Sequence, residues 1–196
     1  MHVELLAITD NPEKQIAHAA RVSPGSEYKS SPENDKRLVR KLVEWGHHST
    51  LEFASATFLI SGISRACANQ LTRHRLASFL QESMRYRKVD DRDIVIPPKI
   101  AAQPAAAKKF EGCFKESQRV YKELLEMGIP KEDARFVLPL GTQTRLVVSA
   151  NFREWRHIIN IRAHPAAQWE IQELSRQIHR ILKEHAPSVF FDLGGE

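Results

Sequence analysis

The stretch RHRLASFLQESMRY, residues 73–86, concentrates more chemistry than any other in this chain. Arg73 and Arg75 flank His74, an apolar run follows, and Ser83 and Arg85 close the segment. A solvated charged face is one reading and a seat for phosphorylated ligands is another. Arginine suits the second, because its planar fork grips phosphate through two parallel charge-assisted hydrogen bonds. Arg135, Arg153 and Arg162 extend the set of candidates. Arg162 ends a predicted helix just before Ala163-His164-Pro165, where a long side chain can reach into a cleft.

Other chemistries find less support. Ser83 has no neighbouring base at a recognisable spacing, and no G-x-S-x-G elbow is present, so it reads as structural or ligand-binding. Cys67 and Cys113 sit in predicted helices outside any Cys-x-x-Cys, and both read as reduced, buried small hydrophobes. His47 and His48 are adjacent, so their side chains diverge in an extended loop, and no H-E-x-x-H supports a metal. Gly-rich phosphate loops are lacking too, so nucleotide binding would run through side chains.

The elements that must position these residues are legible in outline. HVELLAIT predicts a strand and Pro12–Arg21 a helix. Ser31 and Pro32 predict the start of a second helix, with Leu38, Val39, Leu42, Val43 and Trp45 inward and Gly46 as its stop. LEFASATFLISG predicts a long strand from residue 51, and Ser64 caps a helix over SRACANQLTRHR that puts Gln70 and Arg73 on one face. RDIVIPP reads as a short extended segment, and AAAKKFEGCFKESQRVYKELLEMG as an amphipathic helix. A strand follows over Thr144–Ala150. Asn151 with Glu154 marks the cap of the helix FREWRHIINIR, on which Arg153 and His157 face the same way. The last helix is expected to begin near Pro165 and to end before Pro187.

At 196 residues, 42% hydrophobic and 27% charged, the chain suits one soluble domain. No apolar run is long enough for a membrane span, and the N-terminus lacks a signal-peptide pattern, so a cytoplasmic setting is expected. A net charge of +5 suits nucleic acid or anionic small ligands equally. Helices outnumber strands without regular alternation, which argues against a doubly wound parallel sheet. The residues alone thus describe a helix-rich domain with an arginine-lined site for anions.

RHR, seven residues, Ser83 and then Arg85-Tyr86 resembles the signature of the flavin-dependent thymidylate synthases. GHHSTLEF, SRACANQLTRHR, ARFVLPL, NFREWRHIINIR and AQWEI are similar to further blocks of that family, in its order, over roughly residues 46 to 172. Ala166 stands where a histidine often precedes AQWEI. The resemblance implies an α+β fold, a helix-rich single domain over residues 1–196 packed on a small, mostly antiparallel sheet. It implies methylation of dUMP to dTMP with methylene-tetrahydrofolate as carbon donor and NADPH, through FAD, as reductant. Gln70, Leu71, Thr72, Arg73, Gln81, Glu82, Ser83, Met84 and Arg85 would hold dUMP, with Arg135 on its phosphate side. Ser49, Arg73, His74, Arg75, Gln81, Asn151, Phe152, Arg153 and His157 would contact FAD, and His47 would lie near the flavin or folate. Arg162 matches the arginine set against the uracil edge, where it favours ionisation at N3. A homotetramer with sites shared between subunits is implied, with neither metal, nucleic acid nor membrane as partner.

Two rivals stand beside this. A nucleic-acid-binding module could use Arg73, Arg75, Arg85, Arg87 and Lys88 with Phe79 and Tyr86, and its binding would weaken steeply with salt. A cysteine-dependent thymidylate synthase needs a nucleophilic thiol beside a substrate arginine, and neither cysteine has that setting.

Overall fold

The computed structural model describes residues 1–85 and 94–193. In chain order the elements are β1 (His2–Ile8), α1 (Pro12–Val22), α2 (Pro32–Glu44), β2 (Ser55–Ser64), α3 (Arg65–Leu71), β3 (Ser78–Gln81), α4 (Pro98–Ala101), α5 (Pro104–Glu126), α6 (Lys131–Ala134), β4 (Gln143–Asn151), α7 (Phe152–Arg162), α8 (Trp169–His185) and α9 (Pro187–Phe190). The strands form one sheet in the order β1-β2-β4-β3. Thr9 donates to Ser55 O while a Cβ on Gly62 would lie 3.2 Å from the Met1 nitrogen, so β1 and β2 run antiparallel. Arg65 N bonds Thr142 O and Phe152 N bonds Ala54 O, which fixes β2 and β4 as antiparallel too. The fold is α+β and helix-rich, as expected.

Contacts divide the chain into two compact units. The first comprises Met1–His2, Ile60–Gln70 and Leu80–Leu146; the second comprises Val3–Leu59, Leu71–Phe79 and Val147–Glu196. The core of the second unit is aromatic and aliphatic. Phe58 meets Trp155 edge-on at 5.2 Å, Phe152 meets Phe190 at 5.2 Å, and Trp155 Nε1 donates to Ala56 O at 3.0 Å. The last bond satisfies an indole that would otherwise be buried unpaired. Ile60, Ile63, Cys67, Tyr121 and Leu146 form the buried centre of the first unit, with Phe114 at its margin.

Local chemistry explains the helix starts. Ser31 Oγ accepts from Asn34 N at 3.2 Å, Ser64 Oγ from Cys67 N at 3.0 Å, and Asn151 Oδ1 from Glu154 N at 2.9 Å. Each satisfies one of the orphan donors of a first turn.

Five expectations need correction. Residues 51–53 belong to a 3-10 turn, His48–Phe53, tightened by Thr50 Oγ1 donating to His47 O at 3.0 Å, so the strand begins at Ser55. Pro165 lies in a turn before α8, the last long helix, which Gln168 starts by accepting from the backbone N–H of Glu170 and Ile171. Trp45 is 60% exposed, because it follows the last residue of α2 instead of sitting on the buried face. Cys113 is exposed on α5, one position before the buried Phe114, while Cys67 is buried as expected. The helix from Ser64 stops at Leu71, which leaves Arg73 to Arg75 in a turn and Ser78–Gln81 as an unforeseen strand. Of RDIVIPP, Ile94 pairs with Thr142 in an isolated bridge; the earlier part of that segment and Tyr86, Arg87 and Lys88 lie outside the described residues.

Candidate functional site

The second unit brings His74, Glu154, His157 and Arg162 together. Helix α7 buries Trp155, Ile158 and Ile159, so its 3.6-residue period turns Arg153, His157 and Asn160 outward. Arg162 occupies its last turn, where a cation also suits the negative end of the helix dipole. His74 is held in the turn after α3 by its N–H to Leu71 O and by the N–H of Ala77 to its own carbonyl, both at 3.1 Å. That turn drives the imidazole into the protein, where only 6% of it remains exposed.

Arg162 Nε donates to His74 Nε2 at 3.0 Å. The acceptor nitrogen must carry a lone pair, so the ring proton belongs on Nδ1, which faces Glu154 Oε1 at 3.5 Å. His157 stands edge-on to His74 at 5.6 Å. Burial lowers the His74 pKa from its ordinary 6.5 to about 4, and the Arg162 charge, with a smaller effect from His157, pushes the same way. Burial raises the Glu154 carboxyl, against an opposing pull from His157. The His74–Glu154 contact is therefore that of a neutral imidazole with a buried carboxyl group at neutral pH, not an ion pair.

Ligand atoms of His74, Glu154 and His157 lie within 4.8 Å of one another, a spacing that a metal could use. The hydrogen bonding opposes it. Coordination at Nδ1 would shift the ring proton to Nε2, directly against the Arg162 N–H, and coordination at Nε2 would displace the arginine.

A cavity of about 800 Å³ opens beside the cluster, with Asn151, Arg153, His157 and Asn160 among its lining residues. Arg73, His74 and Arg75 line a second one of about 440 Å³ with Glu154 and His157. Arg153 Nη1 contacts Glu52 Oε1 at 2.6 Å, both side chains being exposed. Arg156, the buried neighbour on α7, grips Asp192 through two bonds of 2.6 and 2.7 Å. Glu52, Glu154, Arg156 and Asp192 were not foreseen as part of this site. Glu154 had a signal, standing three residues before His157, but it read as a capping partner alone.

Most residues expected to contact FAD thus belong to the second unit: Ser49, Arg73, His74, Arg75, Asn151, Phe152, Arg153 and His157. Arg162, expected at the uracil edge, and His47 lie in the same unit. Phe152 has a fully buried side chain and packs in the core, as does Leu71 from the dUMP set, so neither presents its side chain to a ligand.

The first unit holds Gln70, Gln81, Glu82, Ser83, Met84, Arg85 and Arg135. Gln81 Nε2 donates to Thr144 Oγ1 at 3.2 Å, and Glu82 N donates to Arg145 O at 2.9 Å, which ties this segment to β4. Ser83 Oγ accepts from Arg85 N at 3.2 Å. Arg85 Nε meets Glu132 Oε2 at 2.8 Å at the surface, and Arg135 Nε donates to Glu132 O at 3.0 Å.

Such a site has the chemistry of an anion-binding centre: arginines and histidines line two cavities, and one guanidinium is fixed on an imidazole. The family model described as "Thymidylate synthase complementing protein" matches residues 4–188. A flavin-dependent thymidylate synthase of Geobacter sulfurreducens is 39% identical over 202 residues, covering 99% of this chain and 87% of that protein. One from Thermococcus onnurineus is 39% identical, covering 88% of this chain and 75% of that protein, and one from Haloarcula marismortui is 36% identical over 97% and 94%. The chain belongs to this family, the flavin-dependent thymidylate synthases.

Proposed function

We propose that this chain makes dTMP by reductive methylation of dUMP, with methylene-tetrahydrofolate as carbon donor and NADPH as hydride source through bound FAD. Thymidylate synthesis with a flavin follows from the family; the donors and the residue roles are our reading. The observation that carries it is the 3.0 Å bond from Arg162 Nε to His74 Nε2, a cation anchored by an uncharged ring.

The residues present fit FAD by their donor chemistry. Arg73, Arg75 and Arg153 suit a pyrophosphate, and His74 and His157 offer ring faces and edges beside cavities of sufficient size. When bound, FAD passes a hydride from NADPH to the pyrimidine. Reduction of the uracil ring places negative charge on its C4 and N3 side, and Arg162 stabilises that charge as it develops. Because His74 holds the guanidinium in place, little reorganisation is needed at that moment. Carbon 5 can then attack the methylene carbon without an enzyme thiolate, which accords with a buried Cys67. Arg153 must exchange Glu52 for the cofactor's phosphates. An exposed pair of this kind contributes little, so the exchange is cheap.

On this reading Gln70, Thr72, Arg73, Gln81, Glu82, Ser83, Met84, Arg85 and Arg135 hold dUMP, and Ser49, Asn151 and the Phe152 backbone complete the flavin contacts. The chain acts as one catalytic domain, in the cytoplasm, within a homotetramer whose sites draw on several copies. Exposed Leu76, Leu80 and Phe136 support an assembly that would cover them. Among the described residues no helix is long and apolar enough to cross a membrane. The nucleic-acid alternative finds no support in the relatives.

The visible spectrum of the purified protein tests the proposal. Flavin absorption that NADPH bleaches without oxygen, followed by dTMP formation when dUMP and methylene-tetrahydrofolate are added, is the expected result. A colourless protein that binds RNA or DNA in a steeply salt-dependent way would overturn it.

A further inference from the structure

A third cavity, of about 360 Å³, opens in the second unit where α1, the loop after it and α2 meet. Arg21, Lys29, Arg37 and Lys41 line it with Asn34, and no carboxylate is among the lining residues. Arg21 is buried and already holds Asp35, which the Ser30 hydroxyl also reaches at 2.9 Å. Asp35 therefore balances Arg21 and leaves three further cations. Among the described residues no carboxylate lies within ion-pair distance of Lys29, Arg37 or Lys41. Asn34 ties two of the three together: its Nδ2 donates to Lys29 O at 3.1 Å, and its Oδ1 accepts from Arg37 Nη2 at 2.7 Å. A cleft lined by one sign of charge focuses the field and gathers counter-ions.

The positive charge continues beyond the cavity. Arg37, Lys41 and Trp45 follow one another at four-residue steps along the exposed face of α2. Lys41 Nζ lies 5.9 Å from the centroid of the Trp45 ring, and Trp45 meets the His47 ring edge-on at 5.8 Å. A track of cations thus leads over an exposed indole to the histidine that the family resemblance sets beside the flavin or folate. From Arg37 to Trp45 it spans about 12 Å, the reach of roughly four extended residues of chain. Of the ligands in the proposed reaction, the folate matches such a track. It carries an aromatic spacer and then a glutamyl tail, and each further γ-linked glutamate adds one carboxylate. We propose that this cavity and the face of α2 bind the poly-γ-glutamyl tail of the folate co-substrate. Trp45 lies along the spacer end of the tail, and Lys41, Arg37 and Lys29 meet successive carboxylates. The inference rests on the reading of methylene-tetrahydrofolate as carbon donor.

The test is the steady-state kinetics of the purified flavoprotein with methylene-tetrahydrofolate bearing either one glutamate or a chain of them. Wild type is expected to show a KM about tenfold lower for the long-tailed form. That advantage should shrink to about twofold or less in roughly 0.5 M salt, because exposed ion pairs are individually weak and easily screened. In the double variant Arg37→Gln with Lys41→Gln, the ratio of the two KM values is expected to fall to within about twofold of unity. Arg37→Lys with Lys41→Arg should restore most of it, since the charges return. If the double glutamine variant does not fold, Lys29→Gln, outside both helices, decides: it should cut the ratio by about twofold or more. A wild type that makes dTMP equally well from both folates would overturn the inference and leave the proposed function standing. A glutamine variant that raises both KM values alike, or leaves the ratio unchanged, would also overturn it, since a merely structural contact cannot tell the tails apart. Failure to form dTMP from either folate would overturn the proposed function itself.

Discussion

The two ring nitrogens of His74 carry different duties, and charge explains the division. Nε2 accepts from Arg162 and Nδ1 faces Glu154, so a second proton on the ring would meet a guanidinium head-on. Arg162→Ala should retain FAD, because Arg73, Arg75 and Arg153 remain to hold its phosphates, yet turnover should fall about a hundredfold to a thousandfold. Cys67→Ala with Cys113→Ala should leave turnover nearly intact; a folded but inactive double variant would mean that sulfur takes part after all. Acid titration reads the imidazole directly. Its folded pKa of about 4 lies below the ordinary 6.5, so between these values the unfolded chain holds a proton that the folded chain refuses. Stability from His74 is thus present above pH 6.5 and lost as pH falls towards 4. Glu154, whose pKa is raised, slopes the opposite way above the ordinary carboxylate value. Replacing His74 with Asn should flatten the acid limb of the melting-temperature profile, and an unchanged limb would contradict the assignment of the proton.

At the scale of elements, capping chemistry was the most readable part of the sequence. Ser31, Ser64 and Asn151 sit where their side-chain oxygens were expected to serve, because a cap depends on only a few neighbouring residues. Removing one should cost a small, definite amount. Ser31→Ala should destabilise the protein by about 1 kcal/mol in urea denaturation without altering the KM for dUMP, since α2 carries no residue expected to hold dUMP. What the sequence concealed was the point where a pattern yields to packing. Leu51 looked like the start of a strand, yet its side chain is buried within a 3-10 turn. Ser78–Gln81 is only four residues long, too short for alternation to register, and its pairing depends on a partner some sixty positions away. The site residues were legible through their motif strings. Their environments were not: nothing local announces that Glu52 would hold Arg153 or that Arg65 would bond Glu82 O.

For the molecule as a whole, the second unit is closed by contacts between distant parts of the chain. Glu13 accepts from Ser188 N at 2.6 Å, and Arg156 on α7 holds both Asp192 and Val189 O. Burial alone would raise the Asp192 carboxyl, but its bonds to Arg156 outweigh this and hold it below the ordinary 3.8. Stability from this clamp is therefore present above the ordinary value and lost as pH falls through the lower folded one. Arg156→Met should cost about 1–3 kcal/mol in denaturant unfolding, because two charge-assisted bonds vanish and a carboxylate loses its partner. Equal midpoints for variant and wild type would show that the clamp carries no weight.

Cys67 is sealed in the core whereas Cys113 opens to water on α5, so the two thiols differ in what can reach them. A maleimide dye should then attach at a single address on the native chain, with one equivalent per polypeptide, and become two only after denaturation. That gives the enzyme a built-in handle for tethering or distance measurement, with no engineered cysteine required.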